Sequence, residues 1–544
     1  MSDDLIDEEL VEYESKRTGL TRQQLLARGV GLAAGAAAAG PAAALAAGEA
    51  AVKPKRGGRL TWALEQDPVH IAPFGGILTS NHWGKEFMYD SLLEWDANLN
   101  VRGALAASWK VIDNKTVDFT LKRGVRFHNG KEVTAADCKY SFDLQASPPP
   151  PGSVAVLGQF PAIDRTEVRS KYVIRIHLKK PDATLFGYLA WSRYSPIVPQ
   201  GMYNQLNPAR EGIGTGPFRL VRYTPNDSVE YVRNPNFWRK GLPYLDALTL
   251  KVLPDEQTRI AALRAGAIDG ATLSPDAARQ FNGQRGFRVL KNYTAAFREL
   301  QFTLKIGEEN KPWHDLRVRK AVNHALNRQE MINKVYGGNG AYSGHVPPGY
   351  GPWPLTQAEL RNKYEKFDLP LARRLMQQAG RQRGFEVTMT TFSTPADFAA
   401  LASVMREQLK RINIDLNIEA QEPGTFAARN GTGSFEWDLT ARGMRGDVNG
   451  YTAEFNPSNG IYNRWYPAYR NVSMWRRVGA LQVTLDHQKR LGIAKALQRQ
   501  LLDEVLIQVP LIAVQKFQVV RSRVRNMYVA FSDFNTGIRN VWVD

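Results

Sequence analysis

One alternating segment, followed by turn residues and a helix signal, constrains the fold of this chain more than any other local pattern. Within residues 116–121, Val117, Phe119 and Leu121 alternate with polar residues, which is the two-residue period of a half-buried strand. Glycine and asparagine follow and favour turns, because both tolerate positive φ. Thr134 can then cap a helix whose first turn carries an acid. The segment predicts strand, turn and helix in succession.

Length and charge bound the class of protein. With 544 residues, the chain is too long for a single hydrophobic core, so we expect two or more lobes. The only cysteine, Cys138, excludes an internal disulfide and is typical of a small buried hydrophobe. The net charge of +18 would suit nucleic acid, an anionic membrane or an acidic ligand. Because Lys and Arg are dispersed along the chain, we interpret the charge as a solvated basic surface.

The first 47 residues have the composition of an export signal. An acidic lead precedes a basic segment and an Ala/Gly-rich run with small residues suited to cleavage. The context TRQQLLARG is similar to a twin-arginine signal, but Gln23 stands in place of the second arginine, so the twin-arginine and general secretory routes both stay open. An Ala-rich surface helix or linker is the alternative. No cysteine lies near the predicted cleavage region, so we expect a freely diffusing protein without a lipid anchor.

Three blocks of the sequence resemble the family 5 extracellular solute-binding proteins, which serve ABC importers of the dipeptide, oligopeptide and nickel type. The first block runs from Met88 to Leu144 and contains YDSLLEWD, ALAASWKV and FTLKRGVRFHNGKEVTAADCKYSFD. The second block begins at Gly214 with GTGPFRLVRY and continues through NPNFW. The third begins at Leu316 with LRVRKAVNHALNRQEM. The resemblance covers nearly all of the chain that follows the export signal.

The resemblance implies an α/β fold, namely the two-lobed periplasmic-binding-protein fold with an extra sheet-rich subdomain inserted in the first lobe. We also expect a helix around His82–Leu93 and a βαβ unit in the second lobe, where a helical pattern separates VTMTTF from DLNIEA. The predicted segments, in chain order, are the export signal at 1–47, lobe I at 48–94 together with 211–297 and 505–544, the inserted subdomain at 95–210, and lobe II at 298–504.

The residues argue against the common enzyme classes. The sequence contains no GxSxG elbow, HExxH motif, paired CxxC or P-loop. Its eight histidines are far apart along the chain. We therefore expect no catalytic activity and no metal or other cofactor.

The resemblance implies a periplasmic substrate-binding component of an ABC importer. Such a protein captures a short peptide or peptide-like solute between its lobes, closes by a hinge and delivers the solute to a membrane permease with its ATPase. One alternative is the same architecture with a non-peptide solute, such as an opine, an oligosaccharide or a metal chelate. A second alternative, of another class, is a basic protein that binds nucleic acid or a membrane surface. We expect a monomer that does not bind nucleic acid.

The predicted ligand site centres on the loop within FEWDLTARGMRGDVNGYTAEF. By its position in the resemblance, Asp447 is the acid that pairs with the ligand's α-amine, because a buried unpaired ammonium costs several kcal/mol. Its alternative role is to cap the turn. Arg442 and Arg445 flank the loop and can bind a ligand carboxylate or hold Asp447 in place. Met444 lies in the same loop, where the family often has tryptophan.

Three further residues complete the predicted site. Ser80 and Asn81, in the loop after the first strand, resemble positions that meet the ligand from the opposite lobe. Trp465, with Tyr466 beside it, can form an apolar wall of the cleft or belong to the buried core.

Overall fold

The structure, a computed structural model, describes most of the chain after the predicted export signal. The described residues are 53–74, 82–96, 99–146, 162–393, 395–443, 445–457, 460–529 and 536–544. The signal predicted at 1–47 lies outside them. Within the described part, no helix has the length and apolar character that a membrane span requires.

The strands form one large sheet and three smaller ones. In chain order they are β1 (Arg59–Leu64), β2 (Leu93–Trp95), β3 (Val101–Gly103), β4 (Ala106–Asp113), β5 (Thr116–Leu121), β6 (Ile163–Ser170), β7 (Val173–Leu178), β8 (Phe218–Thr224), β9 (Ser228–Arg233), β10 (Ala247–Val252), β11 (Gly270–Leu273), β12 (Phe287–Phe302), β13 (Gly340–Tyr342), β14 (Phe385–Phe392), β15 (Ile414–Gln421), β16 (Trp437–Arg442), β17 (Gln508–Arg521), β18 (Val524–Arg525) and β19 (Trp542–Val543).

The α-helices lie on the sheets and at their ends. In chain order they are α1 (Ala135–Ala146), α2 (Thr184–Leu189), α3 (Met202–Gln205), α4 (Glu256–Ala265), α5 (Pro275–Arg279), α6 (Leu316–Ala325), α7 (Arg328–Tyr336), α8 (Gln357–Glu359), α9 (Leu369–Gln378), α10 (Asp397–Leu409), α11 (Pro423–Thr432), α12 (Gly460–Trp465), α13 (Val472–Val483) and α14 (His487–Gln500).

The largest sheet has two parts that share its two longest strands. Its order is β15-β14-β16-β12-β17-β11-β1-β10-β9-β8, with β13 also paired to β17. Residues 287–293 of β12 pair with 515–521 of β17, and 297–301 pair with 508–513, with a register shift between the two stretches. β11 borders the first of these stretches and β16 the second. The shared strands β12 and β17 therefore connect the two parts.

The hydrophobic core divides along the same line. One apolar cluster packs around β1 and β8–β10 and includes Trp62 and Tyr231. The larger cluster packs helices such as α6 and α10 against β14 and β16 and includes Val322 and Trp437. The predicted α6 stripe is confirmed, since Val318, Val322 and Ala325 are all buried. The lobe boundaries given above stay a prediction.

A separate four-stranded sheet, β4-β5-β7-β6, lies within the region predicted as the inserted subdomain. The predicted strand is β5, with Val117, Phe119 and Leu121 buried, and the predicted helix is α1. Cys138 lies in the core between them. The prediction makes Thr134 the acceptor of the helix cap, but in these bonds it is the donor. Its backbone N–H and its hydroxyl donate to the Asp137 carboxylate at 2.9 and 2.7 Å.

Of the helix predicted around His82–Leu93, only His82 and Trp83 are helical, and the prediction is wrong for the rest of the stretch. Residues 84–88 form a turn, and Leu93 begins β2. The carbonyls of residues 87 and 88 accept hydrogen bonds from the backbone N–H groups of Phe218 and Gly216, at 3.2 and 2.9 Å. A helix would need those carbonyls for its own i to i+4 bonds. Pairing with the chain before β8 therefore prevents helix formation here.

The βαβ unit predicted in the second lobe is confirmed. β14 and β15 pair in parallel over their whole lengths, and α10 connects them. Phe398, Leu401 and Met405 on α10 are buried against this part of the sheet. The helical and strand periods in this stretch are local properties of the sequence, which is why they predict the unit correctly.

Asp438 on β16 gives the protein a pH-dependent stability. Its side chain is buried and accepts a hydrogen bond from the Asn430 amide at 2.8 Å. Burial raises the pKa of Asp438 to about 7. The unfolded chain ionises this carboxyl near pH 4, so the free energy of unfolding decreases as the pH rises from about 4 to about 7.

We expect Asp438→Asn to remove this dependence. At pH above 7, the variant should be more stable than the parent by a few kcal/mol, on the order of 1.4 kcal/mol per unit of pKa difference. The measurement is the melting temperature as a function of pH for both proteins. Asp415→Asn, at an exposed position of β15, is the matched control and should leave the profile unchanged. Parallel profiles for the parent and Asp438→Asn would contradict the assignment.

Candidate functional site

A cavity of about 410 Å³ lies between the four-stranded-sheet region and the loop that follows β16. Its walls are mainly apolar and aromatic. The aromatic lining residues are Trp95, Trp109, Phe186, Tyr350 and Trp353. At one end, the lining changes to the charged pair Asp447 and Arg490, with His487 nearby. An apolar pocket with a few convergent polar groups is typical of a small-molecule site.

Asp447 and Arg490 form a buried bidentate ion pair. Nη1 of Arg490 donates to Oδ2 of Asp447 at 2.7 Å, and Nη2 donates to Oδ1. The backbone N–H of Asn449 also donates to Oδ1, at 2.8 Å, so Asp447 caps the short turn as well. Both side chains are less than a tenth exposed. Burial lowers the pKa of Arg490, but the Asp447 carboxylate outweighs it and holds the pKa above its usual value.

Sequence reasoning missed Arg490. The residue lies in the first turns of α14, which Asp486 caps through the N–H of Lys489 at 2.7 Å. Arg490, Ala494 and Leu497 are all buried, at the i, i+4, i+7 spacing of one helix face. An arginine within an apolar stripe is the signal that points to a buried acidic partner.

A second buried acid, Asp182, interacts electrostatically with the pair. Asp182 precedes α2, is 8% exposed and accepts hydrogen bonds from the backbone N–H and hydroxyl of Thr184 at 2.9 and 2.7 Å. Burial raises the pKa of Asp182, and the negative charge of Asp447 raises it further. Of these two acids, Asp447 lines the cavity and pairs with Arg490, whereas Asp182 interacts with both charges electrostatically.

Helix α2 packs closely against the loop after β16. A Cβ atom on Gly187 would lie 2.2 Å from the carbonyl oxygen of Gly446, so only glycine allows this approach. The ring of Tyr188 lies against Gly446 from the same helix. Just before α2, the backbone N–H of Ala183 donates to the carbonyl of Gln482 at 2.7 Å. The cavity is therefore closed on this side by direct backbone contact.

Arg442 does not lie in the cavity and does not hold Asp447. It is 4% exposed and pairs with Glu299 through Nε at 2.9 Å and with Glu454 through Nη1. Arg445 is 40% exposed, and its Nη2 is 3.9 Å from Glu454. Of the two arginines predicted to flank the loop, neither therefore contacts Asp447, and Arg490 takes that role.

Trp465 lies in the core, not in the cavity wall. Its indole N–H donates to the carbonyl of Asn430 at 2.7 Å, and its ring packs against Phe435 and Tyr466. The apolar neighbours of α12 thus bury the ring, as the core interpretation of this residue expects. Three predicted site residues, Ser80, Asn81 and Met444, lie outside the described residues. Ligand contact by any of the seven predicted residues stays a prediction.

No metal site is evident in the part of the chain that the structure describes. Within it, no group of three or more His, Cys, Asp or Glu side chains is placed to hold an ion. His345 is fully buried near Arg442, and burial lowers its pKa to about 3. His82 pairs with Glu86 at 3.3 Å, four residues along the same turn.

Comparison with known proteins identifies the fold and the family. The structure of HbpA2 from Haemophilus parasuis superposes with a TM-score of 0.76 and 20% identity, covering 90% of this chain and all of that one. DppA from Helicobacter pylori, solved with the peptide STSA, gives 0.69 and 21%, covering 90% and 98%. These likenesses confirm the predicted two-lobed α/β periplasmic-binding-protein fold.

A curated relative is more similar in sequence. The glutathione-binding protein GsiB of Salmonella choleraesuis is 27% identical over 351 residues, which cover 62% of this chain and 65% of that protein. The match therefore spans just under two thirds of the relative's length.

The family model gives the broadest match. The model described as bacterial extracellular solute-binding proteins, family 5 middle, matches residues 100–467, which is more than half of the chain. That stretch includes the four-stranded sheet, strands β12 and β14–β16 of the large sheet, and the Asp447 loop. The chain belongs to the bacterial extracellular solute-binding proteins, family 5.

Proposed function

We propose that this protein is the periplasmic substrate-binding component of an ABC importer and that it captures a short peptide or peptide-like solute through a cationic amine. The observation that carries the proposal is the charge at the end of the cavity. Asp447 lines the cavity, is paired with Arg490 and is less than a tenth exposed, and the buried Asp182 adds a second acid that interacts with the pair electrostatically. A ligand ammonium beside Asp447 gains a carboxylate partner there, which avoids the cost of burying the ammonium unpaired.

The Asp447 carboxylate can accept one further hydrogen bond. Oδ1 already receives Arg490 and the N–H of Asn449, whereas the recorded bond to Oδ2 comes from Arg490 alone. A carboxylate oxygen has two lone-pair sites. An ammonium at Oδ2 therefore forms a charge-assisted bond without displacing Arg490. The aromatic walls then accommodate the apolar parts of the solute, whatever their sequence.

Closure of the two lobes would bring α2 against the Asp447 loop, which is the contact that this structure has at Gly187. The register shift in the β12–β17 pair lies where the two parts of the large sheet meet, and it is the natural hinge. To convert a mostly open population into a mostly closed one, the ligand must favour the closed form by about 5.5 kcal/mol. The closed form then docks, as a monomer, on a membrane permease that works with its ATPase. Membership of family 5 supports this partnership.

The protein is expected to bind its solute without transforming it, as a family of substrate-binding transport proteins implies. The name of the relative GsiB supports glutathione, a peptide-like thiol, as a solute to test first. A non-peptide solute in the same cavity is the second candidate, because aromatic walls and one charge do not require a peptide bond. Mass spectrometry of solute retained through gentle purification distinguishes the two.

Neutralising the Asp447–Arg490 pair should abolish tight binding. Asp447→Ala alone would leave Arg490 buried without its partner and should destabilise the fold, so the informative variant is Asp447→Asn with Arg490→Gln. We expect the affinity for peptides with a free amine to fall on the order of 100-fold, the value of one or two charge-assisted hydrogen bonds. Titration calorimetry measures it.

The ligand itself provides the control. An N-acetylated peptide lacks the ammonium and should bind the parent protein and the variant equally weakly. Asp182→Asn leaves the ion pair intact and should lower the affinity for the free-amine peptide less than the double variant does. Unchanged affinity in a folded double variant would remove Asp447 from the ligand site.

A further inference from the structure

A basic groove lies on the surface of the second part of the sheet, away from the residues that line the aromatic cavity. It has a volume of about 670 Å³ and runs between α9 and the turn Lys410–Ile412. Three arginines line it, namely Arg373, Arg374 and Arg411. The other lining residues are Pro370, Met376, Gln377, Gln382, Ile412 and Asn413. The lining contains no carboxylate.

Local geometry gathers residues that are dispersed in the sequence. Pro370, Arg373, Arg374 and Gln377 are spaced i, i+3, i+4, i+7, so they share one exposed face of α9. The opposite wall is 38 residues further along the chain and is tied to this face by the bond from Arg373 Nε to the carbonyl of Arg411, at 3.2 Å. The groove therefore collects charges that a scan for basic clusters along the chain does not reveal.

The walls of the groove are fixed before anything binds. The side-chain amide of Asn413 donates to the carbonyl of Gln382 at 2.9 Å, and Asn413 takes the left-handed conformation, with φ of 61°, that turns the chain toward it. Arg381 donates to the carbonyl of Asn310 at 3.1 Å. A preformed site loses less conformational entropy on binding than a flexible one.

Two of the three guanidinium groups of the groove have no acidic partner in the part of the chain that the structure describes. Among the described residues, no carboxylate lies within ion-pair distance of Arg373 or Arg374, and Arg411 has only a long contact of 3.9 Å with Glu330. Arg383 and Lys410 flank the groove, are exposed and likewise have no ion pair in the described part of the chain. Unpaired guanidiniums in a concave site match the bidentate geometry of phosphate oxygens.

We propose that this groove binds the phosphate headgroups of an anionic phospholipid surface and holds the protein at the membrane. Arg383 and Lys410 extend the charge beyond the groove, so the surface can meet several phosphates at once, as a bilayer presents them. The lining has no aromatic side chain, and a single-stranded nucleic acid site normally requires one for base stacking. The net charge of +18 adds long-range attraction.

The proposal is independent of which solute the cavity takes. A binding protein that dwells on the membrane surface searches for its permease in two dimensions, which raises the encounter rate without tightening the complex. Basic side chains near an anionic leaflet act within about one Debye length, so the effect must weaken with salt.

Co-sedimentation with vesicles tests the groove. The purified protein is mixed with phosphatidylcholine vesicles that contain either no or one quarter phosphatidylglycerol. We expect binding to the anionic vesicles only, weaker at higher salt. Replacing Arg373, Arg374 and Arg411 by Gln should reduce partitioning on the order of 100-fold, since each basic side chain contributes about a fivefold gain.

The matched control removes the same charge elsewhere. Lys110, Lys179 and Lys180 are exposed residues of the four-stranded-sheet region or its border and have no ion pairs in the described part of the chain. Replacing them by Gln should leave most of the vesicle binding intact, and both variants should keep the parent's melting temperature. Equal losses in the two variants would overturn the proposal in favour of diffuse charge. Binding to pure phosphatidylcholine, or groove-dependent binding of an oligonucleotide without vesicle binding, would also overturn it.

Discussion

Replacement of Arg442 by Met is expected to lower the free energy of unfolding by about 3–5 kcal/mol at neutral pH, the usual cost of breaking a buried ion pair from one side. The arginine lies between two buried glutamates, Glu299 and Glu454. Without it, Glu299 remains in the core without a counterion, and Glu454 keeps only the long contact of 3.9 Å with Arg445. Chemical denaturation of the parent and the variant gives the difference.

The pH dependence of stability and a triple variant test whether the unpaired carboxylates cause the stability loss of Arg442→Met. Burial already raises the pKa of Glu299, and it would also raise that of Glu454 if Arg442 did not outweigh it. With folded pKa values raised above the unfolded ones, the carboxyls favour the folded state at low pH and lose that contribution as the pH rises. The deficit of Arg442→Met should therefore shrink on acidification. Adding Glu299→Gln and Glu454→Gln should restore most of the stability, and failure to do so would place the defect in packing instead.

Gly187→Leu is expected to weaken solute binding on the order of 100-fold, because the closed form would become a minor species and the apparent affinity falls with its population. The side chain would meet the Gly446 carbonyl, whose oxygen lies 2.2 Å from the position of an added Cβ. Helix α2 then cannot reach the loop that carries Asp447. Calorimetric titration measures the affinity, and small-angle scattering should show a larger radius of gyration.

A variant at a second glycine tests whether a loss of affinity comes from impaired closure or from impaired folding. Gly479 lies on α13, where an added Cβ meets nothing within 4 Å. Gly479→Leu should bind solute like the parent, and the melting temperature of solute-free Gly187→Leu should stay close to that of the parent. Normal affinity in Gly187→Leu would show that the α2 contact is not part of the closed form.

Elements with a strong local period were predictable. β5, α6 and the β14–α10–β15 unit follow from alternation or helical spacing within a few residues, and the structure confirms each of them. The stretch around His82–Leu93 was misread because its backbone bonds to the chain at residues 216 and 218, more than 120 positions away. A local sequence pattern cannot predict a hydrogen-bond partner that is so distant along the chain.

Only the part of the site that the family resemblance covers, the Asp447 loop, was predictable from the sequence. Asp447 was identified from its loop, but its cation, Arg490, lies 43 residues further along and is chosen by the packing of α14. Arg442 stood closer in sequence, yet strand β16 directs it toward Glu299 in the adjacent β12. The cavity takes residues from positions between 95 and 490, so its walls exist only in the folded chain.

The position of β17 has a consequence for how the chain acquires its fold. This strand, residues 508–521, follows the other described strands of the large sheet in the chain, yet it lies between β12 and β11 near the middle of that sheet. Until it arrives, both neighbours present unpaired strand edges, which invite pairing with other chains. Contacts of such long sequence separation also form slowly. The large sheet of the nascent protein therefore stays incomplete, and in need of protection from aggregation, until β17 has been synthesised.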